Sequence, residues 1–287
     1  MRPIRIMTDS TSDLPASYVE KHHIDVIPLY VHFKEKVYRD GVDLNAEKLY
    51  EIVSETDIFP KTSSPSPGDF IDVFRPAIEA GEDILYIGLS SRLSSTIQNA
   101  KIAASEFEDH RIEIIDSLNL SAGIGLLVMK AAALANEEPI SLQDLAQKIR
   151  LMVPKVRTFF AVDTLEYLHR GGRCSSIENV VGSMLRIRPI LEVVEGQIMV
   201  NRKVRGKREK LLHEMLQMLR QKLEKLDPSI LVVNQSMCPE DADWLTQQIL
   251  EMIPGANVAM TQAGCVISSH CGPRTFSIVY LAQDKKT

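Results

Sequence analysis

The 287-residue chain is long for one ordinary domain and sufficient for two that share an interface, so a core enclosing a pocket is within its reach. Hydrophobic residues make up 45% and charged residues 25%, which excludes a disordered chain. A net charge of -5 argues against a nucleic-acid binder acting through overall charge and leaves only a local basic patch open.

Residues 4–8 read as a short apolar strand that breaks at Asp9-Ser10-Thr11-Ser12, and Pro15 suits the first turn of a helix running to residue 22. No long apolar region or small-residue cleavage site follows Met1, so no secretion signal is expected. Further on, the pattern predicts strands over 83–89 and 111–116 and helices over 95–107 and 121–136. This β-α-β-α rhythm predicts a mostly parallel sheet with helices on both faces. The apolar stretch 120–135 carries Lys130 and is too short to span a bilayer; it reads as a buried helix, with no stable membrane insertion.

The character changes near Pro154. A strand is predicted over 159–162 and a short helix over 165–168, ended by Gly171-Gly172. Residues 189–194 and 197–204 alternate with period two about Glu195-Gly196, as a hairpin does. A helix over 207–226 follows, with Leu211, Leu212, Met215, Leu219 and Leu223 on one stripe. Then come a strand over 229–234, a helix over 239–253 and a mostly extended segment over 257–282, broken at 268–273. The α/β chain therefore divides into an N-terminal domain, residues 1–155, and a C-terminal α/β domain with a mixed sheet, residues 156–287. Four cysteines, Cys174, Cys238, Cys265 and Cys271, show no paired spacing, so reduced thiols in a cytoplasmic protein are expected and a structural metal is not.

Three turns are rich in hydroxyls: Thr8-Asp9-Ser10-Thr11-Ser12-Asp13, Thr62-Ser63-Ser64-Pro65-Ser66-Pro67 and Ser90-Ser91-Arg92-Leu93-Ser94-Ser95-Thr96. Two of them sit at the carboxyl ends of expected parallel strands, where ligand crevices form. Any one hydroxyl is explained by helix capping, with Ser66 and Ser94 well placed for it. A cap needs one hydroxyl and these turns carry several, which points to a pocket for a carboxylate or phosphate. Gly123-Ile124-Gly125 lacks the remaining elements of a phosphate loop and reads as helix packing. His270 falls in the expected turn between two strands, where it is either structural, an anion donor or a base. A hydrolase triad of Ser94, His270 and Asp9 is conceivable, but no Gly-x-Ser-x-Gly elbow surrounds a candidate serine.

Arg202-Lys203-Val204-Arg205-Gly206-Lys207-Arg208 concentrates positive charge at a hairpin end. Such runs are usually solvated faces; the alternative is a docking patch for an acidic partner or phosphorylated ligand. His169-Arg170-Gly171-Gly172-Arg173 is a second basic turn.

Taken together, the segments Thr8 to Pro15, Thr62-Ser63-Ser64-Pro65, Leu89 to Thr96, Asp116-Ser117, Leu168 to Arg173, Lys203-Val204-Arg205-Gly206 and His270-Cys271-Gly272-Pro273 resemble the DegV family in its order. The resemblance implies a two-domain α/β protein with a long-chain fatty acid in a tunnel at or near the domain interface. It further implies that hydroxyls matching Thr62 and Ser94, with His270 nearby, hold the carboxylate. In that family such a protein is the non-catalytic, cofactor-free subunit of a fatty acid kinase, whose dihydroxyacetone-kinase-like partner makes the acyl phosphate used in phospholipid synthesis. Arg173, Arg202 and Arg205 are then expected to dock the kinase or steady the phosphate. Ile124, Leu126, Leu127, Met129, Met184, Leu185 and Ile187 are the expected tunnel wall. The chain departs from the family pattern at Ser95 and Arg274, where Gly is usual or frequent, and at Ser64, where Gln is frequent. On the residues alone, an ester or thioester hydrolase using Ser94 and His270, and a regulatory module using the basic hairpin, stay open.

Overall fold

Residues 84–88 are apolar without alternation, as a strand covered on both faces must be. The computed structural model describes residues 2–137, 139–173 and 187–283. In it this strand lies inside a parallel sheet. The first half of the chain runs β1 (Ile4–Asp9), α1 (Ala16–Lys21), β2 (Asp25–Ile27), β3 (Tyr30–Phe33), β4 (Lys36–Arg39), α2 (Ala46–Thr56), β5 (Lys61–Ser63), α3 (Pro67–Glu79) and β6 (Asp83–Gly88). It continues through α4 (Thr96–Ala104), β7 (Ile112–Asp116), α5 (Ala122–Glu137) and α6 (Leu142–Met152). Strands β2, β1, β6 and β7 pair in that order, all parallel. Ile84 and Tyr86 point toward α3 and α4, and Leu85 and Ile87 into the cluster around α5 and α6.

The second half runs β8 (Val156–Ala161), α7 (Glu166–Gly171), β9 (Ile187–Val194), β10 (Gln197–Arg205), α8 (Arg208–Arg220) and β11 (Leu226–Ser236). It ends with α9 (Pro239–Met252), β12 (Val258–Gln262), α10 (Cys265–Cys271) and β13 (Thr275–Ala282). Its sheet has the order β10-β9-β8-β13-β11-β12 and is mixed, since only β11 and β12 run parallel. One face packs on α8 and α9 through Leu211, Met215, Leu245 and Ile249. The other meets α5, which touches strands of both large sheets.

Helix α5 is buried on every side from Ala122 to Met129, as a helix apolar all round must be. A Cβ on Gly125 would lie 2.6 Å from the Ser12 backbone oxygen, so the glycine sets how closely the helix approaches the end of β1. Lys130, the one charge in its apolar run, reaches Asp227 at 2.9 Å.

Three expectations change. Residues 30–63 hold a small antiparallel sheet, β4-β3-β5, that the alternating rhythm did not foreshadow. The helix expected over 207–226 stops at Arg220; a single 3-10 turn, Leu223–Lys225, follows, and Leu226 already begins β11. The segment expected to be mostly extended from 257 contains α10, despite β-branched Val266 and Ile267.

The reason for α10 is non-local. Its first amides meet two buried carboxylates: Gly264 N–H donates to Asp13 Oδ1 at 2.8 Å, and Cys265 N–H donates to Asp40 Oδ1 at 2.6 Å. Val266 N–H donates to Asp40 Oδ2 at 3.3 Å. Negative charge at a helix N-terminus satisfies its orphan donors and opposes its dipole favourably. Burial drives both carboxyls upward, Asp13 to about 7, against the pull of these hydrogen bonds. Asp40→Ala leaves two interior N–H groups without an acceptor and should cost about 2–3 kcal/mol. Asp40→Asn, which keeps one acceptor, should cost less than Asp40→Ala. Urea denaturation of the two variants checks this; equal stability of Asp40→Ala and the parent would remove the capping role.

Candidate functional site

A cavity of about 280 Å³ lies between the sheets. Leu29, Leu89, Leu120, Phe160, Leu168 and Ile198 give it apolar walls. Ile198 is held in place by the β9–β10 hairpin, whose tip docks on the loop after β6 as Ser90 Oγ donates to the Gly196 carbonyl at 2.9 Å. Thr62, Ser63, Ser64, Ser94, Ser95, Arg173 and His270 line its accessible end, while Thr158, Asn234 and Ser277 line a deeply buried one.

Four of the residues singled out from sequence, Thr62, Ser94, Arg173 and His270, therefore share one cavity. Thr62 sits on strand β5, opposite Val31 of β3, rather than in a turn. His270 lies in the last turn of α10 rather than in a loop between strands. Its Nε2 is 2.8 Å from Thr62 Oγ1. The Nδ1 edge of the ring lies against the end of α7, where a Cβ on Gly171 would come within 2.2 Å of Nδ1; only glycine admits the imidazole there. Burial, reinforced by the neighbouring Arg173 guanidinium, lowers the imidazole to about 4. It is neutral at pH 7, with one donor and one acceptor nitrogen.

Ser94 precedes α4 without being its N-cap residue, which is Ser95. Its Oγ accepts from the Thr96 N–H at 3.3 Å and lies 2.8 Å from Thr96 Oγ1. Among the described residues no hydrogen bond joins Ser94 to His270. Asp9, the third member of the conceivable triad, is occupied by Thr11, Tyr86 and the Leu89 amide. The triad is not assembled. The first hydroxyl-rich turn is likewise structural: Ser10 Oγ accepts from Leu29 N–H and Asp13 holds α10. Ser66, by contrast, caps α3 as its position suggested, in a reciprocal pair with Asp69.

Two of the departures from the family pattern meet at the accessible end. Ser64 Oγ and Ser95 Oγ are 2.7 Å apart, and Asn99 Nδ2 donates to Ser64 Oγ at 3.3 Å. The third, Arg274, takes a left-handed φ of 62°, a conformation that glycine adopts without strain.

Arg202 and Arg205 do not line the cavity. Arg202 pairs with Glu214 at 2.7 Å, and Arg208 is fixed by Asp241, by the Arg274 carbonyl and over the Phe276 ring. Arg208 is thus internal architecture, whereas Arg202, Lys203, Arg205 and Lys207 are exposed. Arg173 is exposed too, its Nη1 donating to the Gly171 carbonyl at 2.7 Å.

The expected wall residues Ile124, Leu126, Leu127 and Met129 belong to the core around α5 and do not line the cavity. Helix α5 turns them into the packing between the sheets. Cys174, Met184, Leu185 and the Ile187 side chain lie outside the described residues. The buried polar residues Thr158, Asn234 and Ser277 were not foreseen as site residues. The signal available was weak: each is a buried polar residue next to the apolar core of its strand, among other polar residues of that strand. Among the described residues no group of His, Cys, Asp and Glu could hold a metal ion, and no helix is long and apolar enough to cross a membrane.

Comparison with known proteins covers the whole fold. Residues 3–283 match the model of a family described as uncharacterised proteins of the DegV family. A DegV domain-containing protein of Clostridium acetobutylicum is 35% identical over 282 residues, 98% of this chain and 99% of that one. Among solved structures, a Thermus thermophilus DegV family protein described for its fatty acid binding superposes with a TM-score of 0.89 at 32% identity, covering 98% of this chain and 100% of that one. Bacillus subtilis DegV, described as a fatty acid binding protein, gives 0.85 at 28% identity, covering 99% and 100%. The full-length match and the shared fold place this chain in the DegV family.

Proposed function

We propose that the protein is a carrier that buries one long-chain fatty acid in this cavity, between an N-terminal domain of residues 1–155 and a C-terminal domain of residues 156–287. Thr62, Ser94 and His270 hold the carboxylate. The observation that carries the reading is the cavity itself, with apolar walls and a cluster of neutral hydrogen-bonding groups at its accessible end. The fatty acid binding of the similar solved proteins supports it.

The chemistry follows from the 2.8 Å contact between Thr62 and His270. With the proton on Nε2, the imidazole donates to Thr62 Oγ1 and leaves the threonine O–H free to donate to a carboxylate. Ser94 supplies a second hydroxyl. Neutral donors suffice because the chain provides the affinity: about fourteen buried methylenes are worth on the order of 11 kcal/mol before ordering costs. The head group provides orientation, and an ionised carboxylate without partners would cost several kcal/mol.

The carrier reading extends to a partner. A carboxylate at the accessible end is placed for transfer chemistry on another protein, and the family resemblance names a dihydroxyacetone-kinase-like fatty acid kinase that makes an acyl phosphate. Arg173 at the cavity and Arg205 on the edge strand are the cations we assign to that encounter, with Arg202 a weaker candidate because Glu214 already neutralises it. The buried, unbridged thiols of Cys238, Cys265 and Cys271 fit a reducing cytoplasm.

Native mass spectrometry of the protein purified from a bacterial host should show about one fatty acid per chain; an apo mass persisting after incubation with fatty acid would reject the carrier. Thr62→Val and Ser94→Ala should each weaken binding by about 1–3 kcal/mol, measured by displacement of a fluorescent fatty acid. Arg205→Ala should keep its lipid yet slow acyl-phosphate formation with a cognate kinase, followed by hydroxylamine trapping. Loss of both, or of neither, contradicts the docking role.

The lowered value of His270 has a testable sign. Between pH 6.5 and 4 the unfolded chain takes up a proton that the folded, lipid-free protein refuses. The stability contributed by keeping this histidine neutral is therefore complete above pH 6.5 and is lost as pH falls toward about 4. The loss is on the order of 2–3 kcal/mol. His270→Gln should flatten the pH dependence of urea stability over that window, and an unchanged slope would show that His270 is not held neutral.

A further inference from the structure

The buried end of the cavity has no part in holding a carboxylate at the accessible end, and its chemistry is specific. Asn234 and Ser277, only 3% and 7% exposed, face each other across the β11–β13 ladder, and both line the cavity. Asn234 Nδ2 donates to Asp13 Oδ2 at 2.9 Å and to Ser121 Oγ at 2.6 Å, while the Ser121 hydroxyl donates to the same Asp13 oxygen. With Asp13 ionised this fixes the amide, because turning it over would set Oδ1 against a carboxylate oxygen. Among the described residues, Asn234 Oδ1 is thereby left without a hydrogen-bond partner, and Ser277 Oγ has none either. On the neighbouring strand, Thr158 spends its hydroxyl hydrogen on Asn119 Oδ1 at 2.8 Å, which leaves it only as an acceptor.

Buried polar atoms are almost always paired, and an unpaired one beside methylenes opposes binding of a plain hydrocarbon chain. What this end lacks is a group that donates to Asn234 Oδ1 and accepts from Ser277. A carbonyl or carboxylate cannot donate, an ammonium cannot accept, and a methylene can do neither. A hydroxyl does both.

We propose that Asn234 and Ser277 form a hydroxyl-recognition subsite, and that the preferred ligand is a hydroxylated acyl chain rather than an unsubstituted one. The proposal rests on the carrier reading of the cavity and names its ligand class. An ordered water has the same hydrogen-bonding chemistry as the ligand hydroxyl, so the experiment must separate the two.

The test is competition against a fluorescent fatty acid on delipidated full-length protein, using stearate and stearates monohydroxylated at successive positions along the chain. At least one hydroxystearate should bind about tenfold or more tighter than stearate. Ser277→Ala should bring that pair to within about twofold, by weakening the hydroxy acid and tightening stearate, whose methylenes no longer meet an unpaired hydroxyl. If no hydroxy acid outcompetes stearate, a resident water satisfies the subsite and the proposal fails while the carrier stands. A preference that survives Ser277→Ala, or an equal loss for both acids, overturns the subsite. Failure of every acid to bind overturns the carrier reading and the subsite together.

Discussion

Two carboxylates buried at the start of α10 are the constraint on which the site depends. Asp13 comes from the turn after β1 and Asp40 from the end of the small antiparallel sheet. By accepting the first amides of a helix more than two hundred residues further on, they tie three distant parts of the chain to one seven-residue element. So short a helix has no stability of its own. Its N-terminus is fixed by charge, and its last turn therefore delivers His270 to a defined place. Asp13 also accepts from Ser121 and Asn234, so the carboxylate that orients α10 orients the buried end of the cavity too. The two ends of the pocket are coupled through one side chain.

The cost of this arrangement is visible in the carboxyls themselves, both driven upward by burial. Asp40 raises Asp13 further, since two like charges in a shared interior oppose each other. A core built for stability alone would place apolar residues here. The polar network instead fixes geometry, as it must where an imidazole has to stand 2.8 Å from a hydroxyl on another sheet. Gly171 belongs to the same logic, because any side chain there would displace the ring.

Much of this was legible in sequence where the signal is local. The unbroken apolar run of β6, the all-round apolar α5 and the period-two hairpin about Glu195-Gly196 each carry their structure in a few neighbouring residues. Strand β5 does not: Lys61, Thr62 and Ser63 become a strand only because β3 supplies their partners. Helix α10 is the stronger case, since Val266 and Ile267 favour extended backbone and the interactions that override them come from Asp13 and Asp40. At the cavity, counting hydroxyls pointed to Ser94 and to the segment that holds Thr62. The same count misplaced the turn at residues 8–13, where the side chains of Thr8, Asp9, Ser10, Thr11 and Asp13 are engaged in holding the fold. Asn234, Ser277 and Thr158 escaped because they come from three separate strands, and their convergence is a property of the sheet register.

The accessible end also shows why affinity must reside in the acyl chain. Its hydroxyls are mutually paired before any ligand arrives: Thr62 with His270, Ser94 with Thr96, Ser64 with Ser95. A carboxylate that enters can only share or replace these bonds, so the net gain is that of an exchange rather than of new contacts. Such an end tolerates a head group whose chemistry changes. In the proposed carrier, a carboxylate turned into a mixed anhydride would keep oxygens that accept hydrogen bonds, and neutral donors would lose less by that change than a paired cation. With His270 held neutral and Arg173 at the rim rather than in the wall, the pocket can retain its chain while its head group is altered.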